Sequence, residues 1–208
     1  MIDTRGSNGT NALTAEPPRA GTVLWLMGPT SAGKTTLGTR IVARLRQEGI
    51  PAVLYDGDEV RDFFGPDFGF GAQHRLRVVS VLAHLANKAS QAGLHVVVAA
   101  LTAGQDAREH VRANVANLKI GHVSCSVDAC ARRDPKGLYG RAKRGEINTL
   151  IGFNSEYRPP DGPDIVLDTE TYSVDELASR AVAVLFPKST ARAPMAAAEW
   201  DEGKECRA

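Results

Sequence analysis

Residues 22–36 read TVLWLMGPTSAGKTT, and this stretch decides the fold. The letters TVLWLM form a short, almost entirely apolar run, which is typical of a strand covered on both faces. The letters GPTSAGKT then match the pattern G-x-x-x-x-G-K-[ST] of a phosphate-binding loop between a strand and a helix. Small residues let the backbone N–H groups close around a polyphosphate, and the following helix adds its positive N-terminal end. The residues predicted to bind the nucleotide are Gly28, Pro29, Thr30, Ser31, Ala32, Gly33, Lys34, Thr35 and Thr36.

Two side chains of this loop are candidates for chemistry. The Lys34 ammonium group can reach the β- and γ-phosphates of a nucleoside triphosphate, and the Thr35 hydroxyl group can bind Mg²⁺. The alternative is a glycine-rich turn that matches the pattern by chance. The strand before the loop and the amphipathic helix after it favour the nucleotide site, with Lys34 as a catalytic residue and Thr35 as a metal ligand.

Short apolar runs alternate with helical patterns along the rest of the chain. Apolar residues recur at every fourth position from Leu37 to Leu45, and Gly49 follows where a helix commonly ends. Ser173 and Glu176 have the spacing of a capping box that opens a final helix. Further strands are predicted at 52–55, 95–101, 123–127 and 165–167, and a long helix at 72–92. This alternation predicts an α/β fold with a doubly wound parallel sheet of the phosphate-loop NTPase or kinase type.

The composition is that of a globular domain with balanced charge. Among 208 residues, 25 are basic and 24 are acidic, which gives a net charge of +1 and argues against a nucleic-acid partner. No apolar run approaches the roughly 18 residues that a membrane span needs. With no signal-peptide pattern and three cysteines without CxxC spacing, we expect a cytoplasmic protein. We expect one domain at 21–187 between flexible tails at 1–20 and 188–208.

Three classes of protein commonly carry such a loop, and the sequence separates them. A switch GTPase needs an Asn/Thr-Lys-x-Asp motif to read its base, and the chain has none. A motor-type ATPase needs an acid at the end of an apolar strand, but HVVVAAL at 95–101 continues into Thr102, Ala103 and Gly104. A small-molecule kinase needs acids near the acceptor hydroxyl and a basic lid over the phosphates. The chain offers candidates for both.

Candidate acids follow the second predicted strand in the run DGDEVR at 56–61. The carboxyl ends of parallel strands line the binding crevice of an open sheet, so Asp56 and Asp58 should face the phosphate loop. Either acid can orient or deprotonate a hydroxyl group and support Mg²⁺. Arg61, one helical turn further on, is placed to hold an anionic acceptor. The alternative is an ordinary Asp-rich turn that caps a helix.

A candidate lid occupies residues 132–144, which read RRDPKGLYGRAKR. Glycines at 137, 140 and 145 provide hinge positions. Such a segment suits a mobile lid that neutralises a transferring phosphate and excludes water, whereas the alternative is a solvated basic helix face. Its six basic residues are Arg132, Arg133, Lys136, Arg141, Lys143 and Arg144.

Over residues 21–186 the sequence resembles the adenylylsulfate kinase family. The motifs that carry the resemblance are the phosphate loop, DGDxxR at 56–61, Gly69-Phe70 followed by Arg75, and RDPKGLY at 133–139 continuing into GEI at 145–147. The last motif is long and highly specific to that family. Its members transfer the γ-phosphoryl group of ATP to the 3′-hydroxyl of adenylylsulfate, giving 3′-phosphoadenylylsulfate. The resemblance therefore implies a kinase that uses ATP and Mg²⁺ and acts on a small nucleotide-like acceptor.

The resemblance also implies roles for single residues. Asp56 and Asp58 would be the acids at the acceptor hydroxyl, Lys136 would close down from the lid, and Arg133 would bind ATP. The positions that match the family's acceptor side are Asp58, Arg61, Phe70, Arg75, Leu101, Thr102 and Leu150. Arg61 and Arg75 would bind the phosphosulfate and ribose side, and Phe70 would stack on the base. The family also suggests a homodimer, for which no residue pattern gives a sign.

Several acceptor-side positions depart from the family pattern. Val78 replaces an asparagine, Leu150 replaces a second aromatic ring, and Leu101-Thr102 replaces Ile-Ser. Since stacking contributes about 1–3 kcal/mol per base in nucleic-acid binders, these changes predict weaker and less selective binding of adenylylsulfate. The alternatives are a family member whose acceptor site binds a cytidine diphosphate conjugate such as cytidine diphosphoramidate, or one that binds another small anionic acceptor. A regulator that has lost catalysis is a third interpretation, which the retained Lys34 and Thr35 argue against.

Overall fold

Five parallel strands form one twisted sheet, in the order β2-β3-β1-β4-β5. The computed structural model describes residues 19–65 and 67–186. The strands are β1 Val23–Met27, β2 Ala52–Asp56, β3 His95–Ala99, β4 Leu118–Ser124 and β5 Ile165–Asp168. Because β1 lies at the centre and every pairing is parallel, the connections must cross over the faces of the sheet. The predicted doubly wound α/β fold is confirmed.

Helices cover both faces of this sheet. They are α1 Lys34–Gln47, α2 Gly57–Phe63, α3 Ala72–Gln91, α4 Gln105–Asn114, α5 Val127–Arg133, α6 Leu138–Lys143 and α7 Val174–Leu185. The predicted end of α1 is confirmed by Gly49, whose φ angle is 75°. The capping box at the start of α7 is also present, since the Ser173 hydroxyl accepts from the Glu176 backbone and the Glu176 carboxylate accepts from the Ser173 backbone.

The side chains of β1 alternate between two apolar layers. Leu24 and Leu26 point into the layer that contains the buried faces of α1 and α7. Trp25, on the other side of the sheet, packs against α3 and α4. The β1 side chains that point into both layers are fully buried. Close packing on both sides therefore fixes the position of the central strand and of its carboxyl end.

Two of the predicted strands have wrong boundaries. The fourth strand was expected at 123–127, but β4 runs from Leu118 to Ser124, and residue 127 already begins α5. The sequence does not show this strand clearly, because its apolar pattern is interrupted by the polar Lys119 and His122 and the small Gly121. The pairing with β1 nevertheless stabilises it. The third strand ends at Ala99 instead of residue 101, because the chain turns there through Thr102, whose φ angle is 40°.

The outer parts of the chain lie outside the description. Residues 1–18 and 187–208 are not described, so the domain at 21–187 and the tails at 1–20 and 188–208 stay predictions. Within residues 19–65 and 67–186, no helix is both long and apolar enough to cross a membrane.

Candidate active site

The phosphate loop lies between the end of β1 and the start of α1, at the carboxyl edge of the sheet. Ser31 and Gly33 have φ angles of 63° and 94°, a region that glycine adopts freely and serine only at a cost. Gly28 passes so close to β4 that a Cβ atom there would lie 2.5 Å from the carbonyl oxygen of Val123. The strand, loop and helix therefore follow one another as the motif requires.

Lys34 is the first residue of α1, and its ammonium group turns back over the loop. Nζ donates hydrogen bonds to the carbonyl oxygens of Gly28, at 2.9 Å, and Pro29, at 2.7 Å. Burial lowers the pKa of Lys34 to about 8, although the nearby carboxylates of Asp58 and Asp56 act in the opposite direction. An ammonium group held by carbonyl dipoles alone can exchange them for the stronger acceptors of a phosphate.

Asp56 joins the phosphate loop to the start of α2. It is the last residue of β2 and is 4% exposed. One carboxylate oxygen accepts from the Thr35 hydroxyl at 2.6 Å, and the other accepts from the Asp58 backbone N–H at 2.7 Å. Asp58 itself is exposed and points into the cavity. The two acids that looked equivalent in the sequence therefore lie in different surroundings.

The oxygen atoms of Thr35 and Asp56 fit a magnesium ion. Mg²⁺ prefers hard oxygen ligands, and it is usually held by one or two protein groups together with waters and substrate phosphates. In the described part of the chain, no cluster of three or more His, Cys, Asp or Glu side chains could hold a metal on its own. The two oxygen donors of Thr35 and Asp56 therefore suit a metal ion that binds together with the triphosphate, and not one held permanently by protein ligands alone.

The basic segment 132–144 forms the end of α5, a turn and α6. In the turn, the Lys136 ammonium group lies 2.5 Å from the Asp58 carboxylate. The buried Tyr139 side chain donates from its hydroxyl group to the carbonyl oxygen of Thr30 at 3.2 Å. The segment is therefore connected to the phosphate loop on one side and to the acceptor-side acid on the other. These contacts disfavour the alternative of a merely solvated basic face.

Arg133 connects the lid segment to the end of β5. Its guanidinium group donates to the hydroxyl oxygen of Thr169, at 2.9 Å, and to the carbonyl oxygen of the same residue, at 2.6 Å. The Thr169 hydroxyl in turn donates to the carbonyl oxygen of Ala32 in the phosphate loop, at 3.0 Å. Sequence reasoning missed Thr169, although its place directly after a strand was a usable signal. A cleft of about 260 Å³ opens beside Arg133 and Glu170.

One cavity of about 670 Å³ joins the phosphate loop to the acceptor side. Among the residues predicted for the site, those that line it are Thr30, Ser31, Gly33, Lys34, Thr35, Thr36, Asp56, Asp58, Arg61, Phe70, Arg75, Leu101, Thr102, Arg133, Lys136 and Leu150. The predicted residues Gly28, Pro29 and Ala32 do not line this cavity. They belong to the loop backbone, and their carbonyl oxygens accept the bonds described above.

The acceptor side of the cavity has a cationic and aromatic floor. The Arg61 guanidinium carbon lies 4.7 Å from the centre of the Phe70 ring, and Nη1 donates to the carbonyl oxygen of Gly69 at 2.6 Å. Arg75 donates to the carbonyl oxygen of Thr149 at 2.6 Å. Phe70 is half exposed, so one face of its ring is available to a planar ligand. This floor can hold an anion and a base side by side.

Another part of the cavity wall is apolar, as the departures from the family pattern suggested. Val78 is 4% exposed and Leu150 is 6% exposed, and both pack into the apolar layers while their outer surfaces line the cavity. Thr102 is also buried, and its hydroxyl oxygen accepts from the Trp25 indole at 2.9 Å. These three side chains offer shape rather than free hydrogen-bonding groups.

Comparisons with known proteins agree with this geometry. Residues 20–168 match the family model described as adenylylsulphate kinase. A probable adenylyl-sulfate kinase of Archaeoglobus fulgidus is 35% identical over 148 residues, covering 71% of this chain and 96% of the relative. The adenylyl-sulfate kinase of Vibrio cholerae is 39% identical over 166 residues, covering 78% of this chain and 77% of the relative.

A solved structure gives the same result. The APS kinase of Mycobacterium tuberculosis, in complex with AMPPNP and APS, superposes with a TM-score of 0.75 at 31% identity. The superposition covers 81% of this chain and 99% of that one. The sheet order, the phosphate loop and the family match over residues 20–168 lead to one conclusion: the chain belongs to the adenylylsulfate kinase family.

Proposed function

We propose that the protein transfers the γ-phosphoryl group of ATP to the 3′-hydroxyl of adenylylsulfate, giving 3′-phosphoadenylylsulfate and ADP. One observation supports this proposal most strongly: the phosphate loop, Asp58 and the Arg61–Phe70 floor line the same cavity. Membership of the family supports the same reaction. Such catalysis is mainly positioning and charge neutralisation, because little covalent chemistry falls to the protein.

On the donor side, the phosphate loop would bind the triphosphate through its backbone N–H groups and Lys34. Thr35 and Asp56 would hold Mg²⁺, which supplies positive charge at the β- and γ-phosphates. Arg133 borders the cleft of about 260 Å³ next to the loop, and this cleft suits the nucleoside part of ATP. Lys34 would stabilise the charge that develops on the transferred group.

On the acceptor side, Phe70 would stack on the adenine and Arg61 and Arg75 would bind the phosphosulfate group. The 3′-hydroxyl oxygen attacks the γ-phosphorus, the bond from that phosphorus to the β,γ-bridging oxygen breaks, and ADP leaves. The hydroxyl proton passes to the carboxylate of Asp58, the exposed acid of the pair. Lys136 contacts this carboxylate through Oδ2, so the acceptor hydroxyl would approach the other oxygen, Oδ1.

A second candidate acceptor is a cytidine diphosphate conjugate. The apolar wall of Val78 and Leu150 would tolerate it, because a wall without donors or acceptors discriminates poorly between bases. The named relatives favour adenylylsulfate. A cytoplasmic location and a homodimer remain predictions, and the mass of the protein in solution tests the second.

Direct competition between acceptors tests the proposal. The protein is incubated with Mg-ATP and equal concentrations of adenylylsulfate and cytidine diphosphoramidate, and the products are identified by mass. We expect the adenylylsulfate product to carry one additional phosphoryl group, and 3′-deoxyadenylylsulfate to remain unmodified. The variant Lys34→Ala is the control for contaminating kinases. Phosphorylation of the cytidine compound alone would establish the second candidate instead.

A further inference from the structure

Arg108 is a buried cation that does not line the cavity, and nucleotide binding does not explain its position. It lies on α4 and is 6% exposed. Across residues 19–65 and 67–186, no carboxylate forms an ion pair with it. An unpaired buried charge is expensive, so its hydrogen bonds must account for its presence.

The Arg108 guanidinium group donates to three carbonyl oxygens on two separate segments. Nε donates to Thr102 at 3.0 Å, Nη1 donates to Pro159 at 2.9 Å, and Nη2 donates to Arg158. Its carbon also lies 5.9 Å from the centre of the Tyr157 ring. The planar fork of arginine can serve three acceptors in fixed directions, which lysine cannot do.

Both of these segments lead directly to the acceptor side of the cavity. The first contains Thr102, which lines the cavity and has a φ angle of 40°, a region that a threonine adopts only when its surroundings hold it there. The second begins at the cavity wall with Leu150. Its backbone N–H donates to the Asn154 side chain, and the Gly152 N–H donates to the carbonyl oxygen of Ser155, which makes the segment a compact loop. Arg108 holds the chain just after that loop, at Arg158 and Pro159.

We propose that Arg108 is a positioning residue for the acceptor: it fixes Thr102 and the loop after Leu150 relative to each other, and thereby sets the width of the acceptor side. The inference rests on the proposed function, because that function defines which side of the cavity receives the acceptor. Arg108 lies on the face of the sheet covered by α3 and α4 and makes no bond to the phosphate loop, so ATP binding should not depend on it.

Three variants test this role by steady-state kinetics on the full chain with adenylylsulfate and ATP varied separately. For Arg108→Ala and Arg108→Lys we expect the KM of the acceptor to rise by about tenfold or more, with the KM of ATP unchanged within about twofold. Arg112→Ala is the matched control, because Arg112 lies one turn further along α4, is exposed, and donates to the carbonyl oxygen of Asp161, beyond the residues that Arg108 contacts. It should leave both constants unchanged.

Chemical rescue separates positioning from a general loss of stability. Millimolar guanidinium should lower the acceptor KM of Arg108→Ala towards the wild-type value, and an equal concentration of sodium chloride should not. Should Arg108→Ala fail to fold, Arg108→Lys keeps the buried charge and volume and carries the same test. Equal rises in both KM values, or a lower melting temperature with unchanged KM values, would overturn the inference.

The acceptor that the wild-type enzyme phosphorylates distinguishes a failure of this inference from a failure of the proposed function. If it phosphorylates another acceptor in place of adenylylsulfate, the proposed function fails. The same comparison of KM values, made with that acceptor, then decides the role of Arg108.

Discussion

Lys34 combines two properties that oppose each other. Its ammonium group must be charged to bind a polyphosphate, yet burial lowers its pKa to about 8. In the structure the ammonium group donates to the carbonyl oxygens of Gly28 and Pro29, and the nearby acids Asp58 and Asp56 also favour its charged form. The free protein therefore holds this proton less firmly than an exposed lysine does, and a bound triphosphate would restore its affinity.

A pH profile tests this property of Lys34. Because the group loses its proton above a pKa of about 8, kcat/KM for ATP should fall by about tenfold between pH 7 and pH 9. The ionic strength and Mg²⁺ concentration are held constant. Lys34→Arg should be slower but should lack this decline, because arginine stays charged. An identical decline in that variant would assign the titration to another group.

Neighbouring elements place the two acids in different surroundings. β2 delivers Asp56 into the buried carboxyl edge of the sheet, where it binds the Thr35 hydroxyl. The first turn of α2 carries Asp58 outward to Lys136. Asp56 therefore lies beside Thr35, where a metal would bind, whereas Asp58, two residues later, lies on the acceptor side.

The variants Asp56→Asn and Asp58→Asn should therefore differ in kind. Asp58→Asn should lower kcat by roughly 10²-fold or more, the range of general acid–base catalysis, with little change in the KM of Mg-ATP. Asp56→Asn should also raise the KM of Mg-ATP, because its carboxylate no longer supports Thr35 and the metal. Titration of activity with Mg²⁺ distinguishes the two. Equal effects on both constants in both variants would contradict this division.

Sequence reasoning was most successful where one local pattern decides one element. The phosphate loop, the long helix α3 and the capping box of α7 each have such a pattern, and all three are present. β4 was misplaced because Lys119, Gly121 and His122 break its apolar pattern, while its pairing with β1 depends on residues far away in the chain. α4 was not predicted for a related reason: most of its residues are polar, and only a few of its positions are buried.

The candidate site shows the same limit. Residues from contiguous motifs, such as Lys34 and Asp58, were found in the sequence and line one cavity. Thr169 and Arg108 were not, because their contacts join segments that are distant in the sequence. The roles of the predicted residues stay predictions until the variants are measured.

The packing of the whole domain includes two histidines that favour their neutral form. The His95 Nδ1 atom accepts a hydrogen bond from the Thr22 backbone N–H at 3.0 Å, and burial lowers the pKa of His95. The pKa of His122 is lowered by burial and by the charge of Arg108. Both histidines bind a proton more readily in the unfolded chain, so the stability they contribute is present above pH 6.5 and is lost as the pH falls below it.

Urea unfolding at several pH values tests this contribution. The free energy of unfolding should fall as the pH is lowered from 6.5 to 5. His95→Asn keeps an acceptor for the Thr22 N–H but does not titrate, so its decline should be shallower. His84→Asn, at an exposed position of α3, is the control and should keep the wild-type slope. An unchanged slope for His95→Asn would remove His95 from the explanation.

The hydrogen bond from the Trp25 indole to Thr102 has an optical consequence. The chain contains two tryptophans, so a Trp200→Phe variant leaves Trp25 as the single indole fluorophore. Trp25 is fully buried in the central strand, and its polar end contacts the segment that lines the acceptor side. Its emission should therefore change when an acceptor arrives. Stopped-flow fluorescence can then follow acceptor binding in real time, without a label and separately from phosphoryl transfer.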